Sequence, residues 1–263
     1  MTHGLIDGDL VLFRAAFAAG EWARSAAKNT MELILSNTGI DSFNIYLTGK
    51  DNFRKEIYPA YKANRKDKQL PVEALLETKE YLIDNWGAEV IHGMEADDAM
   101  GLAASSDTLI ITLDKDLDMI PGSHYNWIKD WTYEVNEEEA FRHFCTQCIQ
   151  GDRTDNIPGL YQVTGNKATK KLLSNLDNIG TKEEMFNYVK HLYGREHQPM
   201  LHTIASLLWI QRGDARTYDQ YLHSGGSDTS LGHTEETTDA TAESGGERPP
   251  EVDRGNKDGV EDK

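Results

Sequence analysis

Residues 108–118 read TLIITLDKDLD. Six apolar or β-branched residues run without a break and give way to aspartates at alternate positions. An unbroken run of this kind suits a parallel strand covered on both faces. Asp114 and Asp116 would then lie just past the strand's C-terminal end, the edge where open α/β sheets bind ligands. Alternating aspartates also open an EF-hand loop, but that loop needs glycine at its sixth position and glutamate at its twelfth. Met119 and Tyr125 stand there, which excludes it.

The same design recurs upstream. Gly4–Ile6 is a short apolar strand ending at Asp7, and Gly8 and Asp9 turn the chain into an alanine-rich helix that closes at Gly20. A second helix is expected over Ala23–Ser36 and a strand over Phe43–Leu47 (FNIYL). Pro71 opens a helix to about Trp86. Ala88–Ile91 is another strand, and Glu95–Ala104 a helix with acids in its first turn, where the dipole favours them. Strand–helix alternation predicts an α/β fold: a central, mostly parallel sheet flanked by helices. After Glu137 the pattern becomes helical, over 137–150, 181–193 and 198–211, with a helix–hairpin–helix stretch at 157–173. The expected division is a catalytic α/β region at 1–136, a helical region at 137–222, and a disordered acidic tail at 223–263, too poor in apolar residues to fold.

The formal charge is −17, from 27 basic and 44 acidic residues. From Leu222 onward there are 11 acidic and 4 basic residues, so much of the excess lies in the tail. In the body, eight acids fall in four clusters: Asp7; Glu95, Asp97 and Asp98; Asp114 and Asp116; Asp152 and Asp155. Crowded carboxylates disfavour ionisation, and hard oxygen ligands of this kind suit Mg²⁺ or Mn²⁺. Net charge therefore does not exclude a nucleic-acid substrate. No signal peptide and no run of 18 apolar residues is evident, so a soluble, cytoplasmic monomer is expected. The two cysteines, Cys145 and Cys148, lack a partner pair for zinc and read as one face of an amphipathic helix.

Two stretches carry positive charge. Arg54, Lys55, Lys62, Arg65, Lys66 and Lys68 interleave with Phe53, Tyr58 and Tyr61, a mixture that holds single strands by phosphate pairing and stacking. Around GLYQVTGNKATKKLL, glycines Gly159 and Gly165 let backbone N–H groups approach phosphate, and Lys167, Lys170 and Lys171 add cations.

Taken together, LIDGD, FRKEIYPAYKANR, EADD, the DKD after a strand, and GDRTDNIPG followed by VTGNKATKKLL resemble the 5′-nuclease family with its PIN-like fold. That family includes flap endonucleases, the 5′-3′ exonuclease domain of bacterial DNA polymerase I, and stand-alone phage 5′-3′ exonucleases; the likeness covers about residues 4–215. It implies hydrolysis of DNA phosphodiesters by two metal ions, Mg²⁺ or Mn²⁺. Asp7, Asp97 and Asp114 would serve one ion, and Asp114, Asp116 and Asp152 the second. Glu95, Asp98 and Asp155 would act nearby or through water. Lys62 would reach the scissile phosphate and Arg65 clamp it, within an arch over the site. The hairpin would anchor duplex DNA, with a potassium ion at its carbonyls. Substrates would be DNA with 5′ ends, flaps or nicks, RNA–DNA hybrids included, with replication proteins as candidate partners.

Two departures stand out. Relatives carry an aspartate after the second strand; here LTGKDNFR places Gly49 at that position and Asp51 two residues on. The hairpin has one extra residue and Gln162 or Val163 where its first glycine would be. The rival readings are a structure-selective DNA-binding protein with weak or lost catalysis, and a small RNase of the related toxin-like fold.

Overall fold

The structure, a computed structural model, describes residues 2–65, 71–213 and 215–223. β1 (His3–Asp7) leads into α1 (Gly8–Ala19) and α2 (Ala23–Thr38), then β2 (Ser42–Thr48). A short α3 (Arg54–Ile57) precedes α4 (Val72–Trp86), β3 (Glu89–Ile91), α5 (Ala96–Ala103) and β4 (Thr108–Ile111). A hairpin of β5 (Gly122–Asn126) and β6 (Trp131–Val135) follows. The rest is helical: α6 (Glu137–Gln150), α7 (Leu160–Thr164), α8 (Lys170–Leu176), α9 (Lys182–Tyr193), α10 (Gln198–Leu208) and α11 (Tyr218–His223).

The six strands lie in the order β3-β2-β1-β4-β5-β6, parallel except for the β5–β6 pair. The α/β expectation is met. The chain runs outward from β1 to β3 and then returns to place β4 on the other side of β1. That reversal opens a crevice at the C-terminal ends of β1 and β4. Register pairs Ile6 with Ile111, so Asp7 and Thr112 emerge side by side.

Side chains alternate across the sheet as the pleat requires. Ile6, Ile45, Leu47 and Ile111 face α1, α2 and α4, where Val11, Met31 and Leu82 are buried. Leu5, Tyr46 and Ile110 face the opposite way and share one cluster with Met100, Phe141, Phe144, Phe186 and Trp209. The helices after residue 137 thus share their core with one sheet face. Cys145 and Cys148 are buried in it as free thiols, and burial pushes both thiols up. Among the described residues no helix is long and apolar enough to cross a membrane. The expected disordered tail lies almost wholly outside the described residues; its first residue, His223, ends α11.

Candidate active site

Asp7 caps α1: one carboxylate oxygen accepts from the Leu10 amide at 3.0 Å and the other from the Thr112 hydroxyl at 2.8 Å. The same hydroxyl accepts from the Asp114 amide at 3.0 Å. Thr112 therefore bridges the first acid after β1 and the first after β4. Asp114 in turn accepts from the Asp116 amide at 3.0 Å, opening a single turn of 3₁₀ helix over Lys115–Met119. Gln147 of α6 donates to the Asp116 carboxylate.

The third cluster enters from α5. Glu95, 9% exposed, accepts from the Tyr61 hydroxyl at 2.9 Å and from Lys62. The fourth is the loop after α6. Asp152 accepts from the Thr154 and Asp155 amides at 2.7 and 3.3 Å. Asp155 accepts from Tyr61 at 3.0 Å and pairs with Lys62 and Arg65. This loop docks onto residues 60–65: Lys62 N donates to the Asp155 carbonyl at 2.8 Å, Asn64 reaches Arg153 O at 2.8 Å, and Asn156 reaches Ala60 O at 2.7 Å. Lys62 and Asn156 adopt left-handed φ of +56° and +58°, a conformation that costs energy and persists where tertiary contacts hold it.

One open cleft of about 1130 Å³ collects these groups. Asp7, Glu95, Asp97, Asp114, Asp116, Asp152 and Asp155 all line it, with Lys62 and Arg65. Phe13 and Leu76, both exposed, border it. Asp9, Thr48, Lys79 and Gln147, which no sequence motif marks as site residues, line it too. Among the described residues no three His, Cys, Asp or Glu side chains are already drawn close enough to hold one ion. In their place Lys62 and Arg65 neutralise part of the acidic wall.

The acids feel one another. Burial, then Asp9, push the Asp7 carboxyl up to about 7 against the Leu10 and Thr112 hydrogen bonds. Asp116 is pushed up to about 7 by burial, Asp114 and Asp152. Asp97 keeps some exposure to the cleft, yet burial, Asp7, Glu95 and Asp114 raise it well above the carboxylate range. Glu95 goes the other way: burial raises it, but Lys62 and Arg54 more than offset that. Such a cluster is set up to accept positive charge.

A pH dependence follows. Asp7 and Asp116 rise from an ordinary 3.8 to about 7 on folding. Between these values the native chain binds protons that the unfolded chain has released, so stability falls as pH rises through that window. The metal-free protein is expected to melt at a lower temperature at pH 8 than at pH 5.5. Added Mg²⁺ should raise the melting point more at pH 8. A metal-free melting point that climbs from pH 5.5 to 8 would contradict this account.

Four expectations need correction. Arg54 is 2% exposed and faces no solvent from which DNA could approach. Its guanidinium grips the Asp98 carboxylate through both terminal nitrogens, at 2.5 and 2.9 Å, and donates to the Leu207 and Trp209 carbonyls. Asp98, fully buried, is thereby taken from the cleft; its oxygens also accept from the Glu95 and Gln211 amides, both at 3.1 Å. Tyr61 is 3% exposed and its hydroxyl is committed to Glu95 and Asp155, so it offers no stacking face. Gly159 is buried against the backbone: a Cβ there would stand 2.3 Å from the Gln150 carbonyl oxygen. It is required for packing, not for approach to phosphate. Gly165 sits at φ +80° in an exposed turn with nothing near its missing Cβ. Lys167, Lys170 and Lys171 are exposed around that turn. Lys66 lies outside the described residues.

The family described as "5′-3′ exonuclease, N-terminal resolvase-like domain" matches residues 2–145. The chain belongs to the 5′-3′ exonuclease family. Among relatives, it is 25% identical over 203 residues to a 5′-3′ exonuclease of Buchnera aphidicola subsp. Schizaphis graminum, covering 66% of this chain and 70% of that one. It is 30% identical over 162 residues to DNA polymerase I of Rhizobium leguminosarum, covering 55% of this chain but only 16% of the polymerase. Among solved structures, a phage T5 protein co-crystallised with metal ions superposes with a TM-score of 0.61 at 19% identity, covering 80% of this chain and 89% of the other. A phage T5 flap endonuclease in complex with DNA and metal ions gives 0.56 at 20% identity, covering 80% and 89%. At these identities the structures establish a shared fold for this family member.

Proposed function

We propose that this family member is a metal-dependent 5′-nuclease that hydrolyses DNA phosphodiesters at 5′ ends, flaps or nicks. The observation that carries the reading is the meeting, in one cleft, of seven of the eight carboxylates of the four acidic clusters, which are distant in sequence. Their oxygen donors suit two Mg²⁺ or Mn²⁺ ions. Asp7, Asp97 and Asp114 would hold one, Asp114, Asp116 and Asp152 the other, with Glu95 and Asp155 acting through water. Bound there, such ions supply an activated water and stabilise charge on the attacked phosphate and the leaving oxygen.

The chain's own residues do the rest. Thr112 and Gln147 fix the rotamers of Asp7 and Asp116. Tyr61 fixes Glu95 and Asp155. Lys62 and Arg65, now paired with carboxylates, are placed to exchange them for a phosphate; Arg65 can clamp it in a bidentate fork. Phe13 and Leu76 offer apolar faces to an unpaired base. Gly165 and the lysines beyond it form a duplex anchor, with a potassium ion as a candidate at the turn carbonyls. RNA–DNA hybrids would be substrates as well, with primer removal beside replication proteins as the role.

The deciding assay uses 5′-labelled flap and nicked duplex substrates with Mg²⁺ and with EDTA. Metal-dependent release of short 5′ products is expected. Tight binding to branched DNA without cleavage in Mg²⁺ or Mn²⁺ would select the binding-only alternative, which the Gly49 departure favours. A separate expectation concerns the hairpin. Replacing Lys167, Lys170 and Lys171 together with alanine should flatten the slope of log affinity against log salt by about 2–3. An unchanged slope would remove these lysines from the DNA path.

A further inference from the structure

Gly49 lines the cleft just past β2, and the structure shows why no carboxylate can stand there. A Cβ at Gly49 would stand 2.5 Å from the Ile91 carbonyl oxygen and 2.8 Å from His92 Nδ1. The Gly49 amide donates to that same carbonyl at 2.7 Å, which holds the backbone against β3. Asp51 lies on the cleft but is exposed, at φ +67°. Among the described residues no hydrogen bond fixes its side chain.

Asp9 approaches the same strand end from the first turn of α1. Both of its carboxylate oxygens face the Thr48 amide, at 3.1 and 3.3 Å. The Thr48 hydroxyl accepts from the Ala96 amide at 2.9 Å, so one residue joins Asp9 to the start of α5, beside Glu95 and Asp97. Asp9 lines the cleft with Asp7 and Asp97. An ordinary first-turn acid would gain from the helix dipole while its charge stayed in water. Asp9 instead is only partly exposed and lies among Asp7, Glu95 and Lys79; the single lysine charge offsets the carboxylates only in part, and a shared cation would offset the rest.

We propose that Asp9, held toward the cleft by the Thr48 amide, supplies a carboxylate to the metal centre at the end of β2, where Gly49 can supply none. The proposal rests on the metal-dependent reading above. Asp9→Asn tests it, because the amide oxygen can still accept from Thr48 while the charge is lost. Mn²⁺ alone, without DNA, is titrated into the full-length chain, with free Mn²⁺ followed by EPR and unfolding followed by melting. Asp9→Asn should weaken Mn²⁺ binding at least about tenfold and shrink the metal-induced rise in melting point. Its metal-free melting point should hold or increase, since a like charge has gone. Wild-type Mn²⁺ affinity together with a lower metal-free melting point would make Asp9 a structural cap and overturn the proposal. So would a loss of affinity in Asp51→Asn with none in Asp9→Asn. If Asp114→Ala also leaves Mn²⁺ affinity untouched, the metal site itself is wrong; if Asp114→Ala weakens it and Asp9→Asn does not, only the role of Asp9 fails.

Discussion

Asp114→Ala is expected to lower single-turnover cleavage of a 5′ flap by about 10²–10⁴-fold, while affinity for the same DNA in Ca²⁺ changes by no more than a few fold. Asp114 sits between two groups of acids. Its amide is held by the hydroxyl that also holds Asp7, and its carboxylate caps the turn that presents Asp116. Its charge is felt at Asp7, Asp97 and Asp116. In the two-ion reading it is the one carboxylate shared by both ions, so its loss loosens both. Metal stabilisation of a phosphoryl transition state supplies several kcal/mol, and each 1.36 kcal/mol is about a factor of ten in rate. DNA affinity is a separate matter, because in the proposed reading it would come from Lys62, Arg65 and the hairpin lysines. Stability should drop only by about 1 kcal/mol, the usual cost of losing a side-chain cap, since Asp114 is exposed. A variant that cleaves at the wild-type rate would sink the assignment of this cleft to metal catalysis.

Much of this arrangement was legible in the sequence for a simple reason. Buried strands of a parallel sheet announce themselves as apolar runs, and an acid following such a run has to emerge at the sheet's edge. LIDGD and TLIITLDKD carry that information locally, and alternation with helices makes the strands parallel. Residues whose role depends on a distant partner carry no such signal. Arg54 and Asp98 are 44 positions apart and each looks like a surface charge until the fold sets them face to face in the core. Gly159 and Gly165 look alike as letters; only the backbone shows one wedged against Gln150 and the other open in a left-handed turn. Gln147 and Thr112 are ordinary polar residues whose function is the rotamer of a neighbouring acid. The β5–β6 hairpin carries little signal because its strands are five residues each, mixed in polarity, at the sheet's edge. Asp9, two residues beyond Asp7, reads in sequence as part of a turn.

Arg54→Met should cost about 3–5 kcal/mol of stability. The pair with Asp98 is a buried polar network. Four donations leave the guanidinium: two to Asp98, one to the Leu207 carbonyl and one to the Trp209 carbonyl. Asp98 accepts two more, from the Glu95 and Gln211 amides. This network ties α3, at the start of the basic segment, to the N-terminus of α5 and the end of α10. Methionine matches part of the volume but strands Asp98 as a fully buried carboxylate and leaves two carbonyls without donors. Breaking a buried ion pair from one side is far costlier than replacing both partners. At roughly 2–4 °C per kcal/mol for a chain of this size, the melting point should fall by roughly 6–20 °C. Asp98→Asn on top of Arg54→Met removes the stranded charge and should recover part of the loss, which separates the charge penalty from the lost hydrogen bonds. The consequence reaches the cleft as well, because Asp98 holds the Glu95 amide at the head of α5. Cleavage should therefore weaken even below the melting transition, although neither residue faces substrate. Urea unfolding of the two variants and the wild type decides the matter: a loss under about 1 kcal/mol in Arg54→Met would mean that the pair is not the tie between these helices that its hydrogen bonds describe.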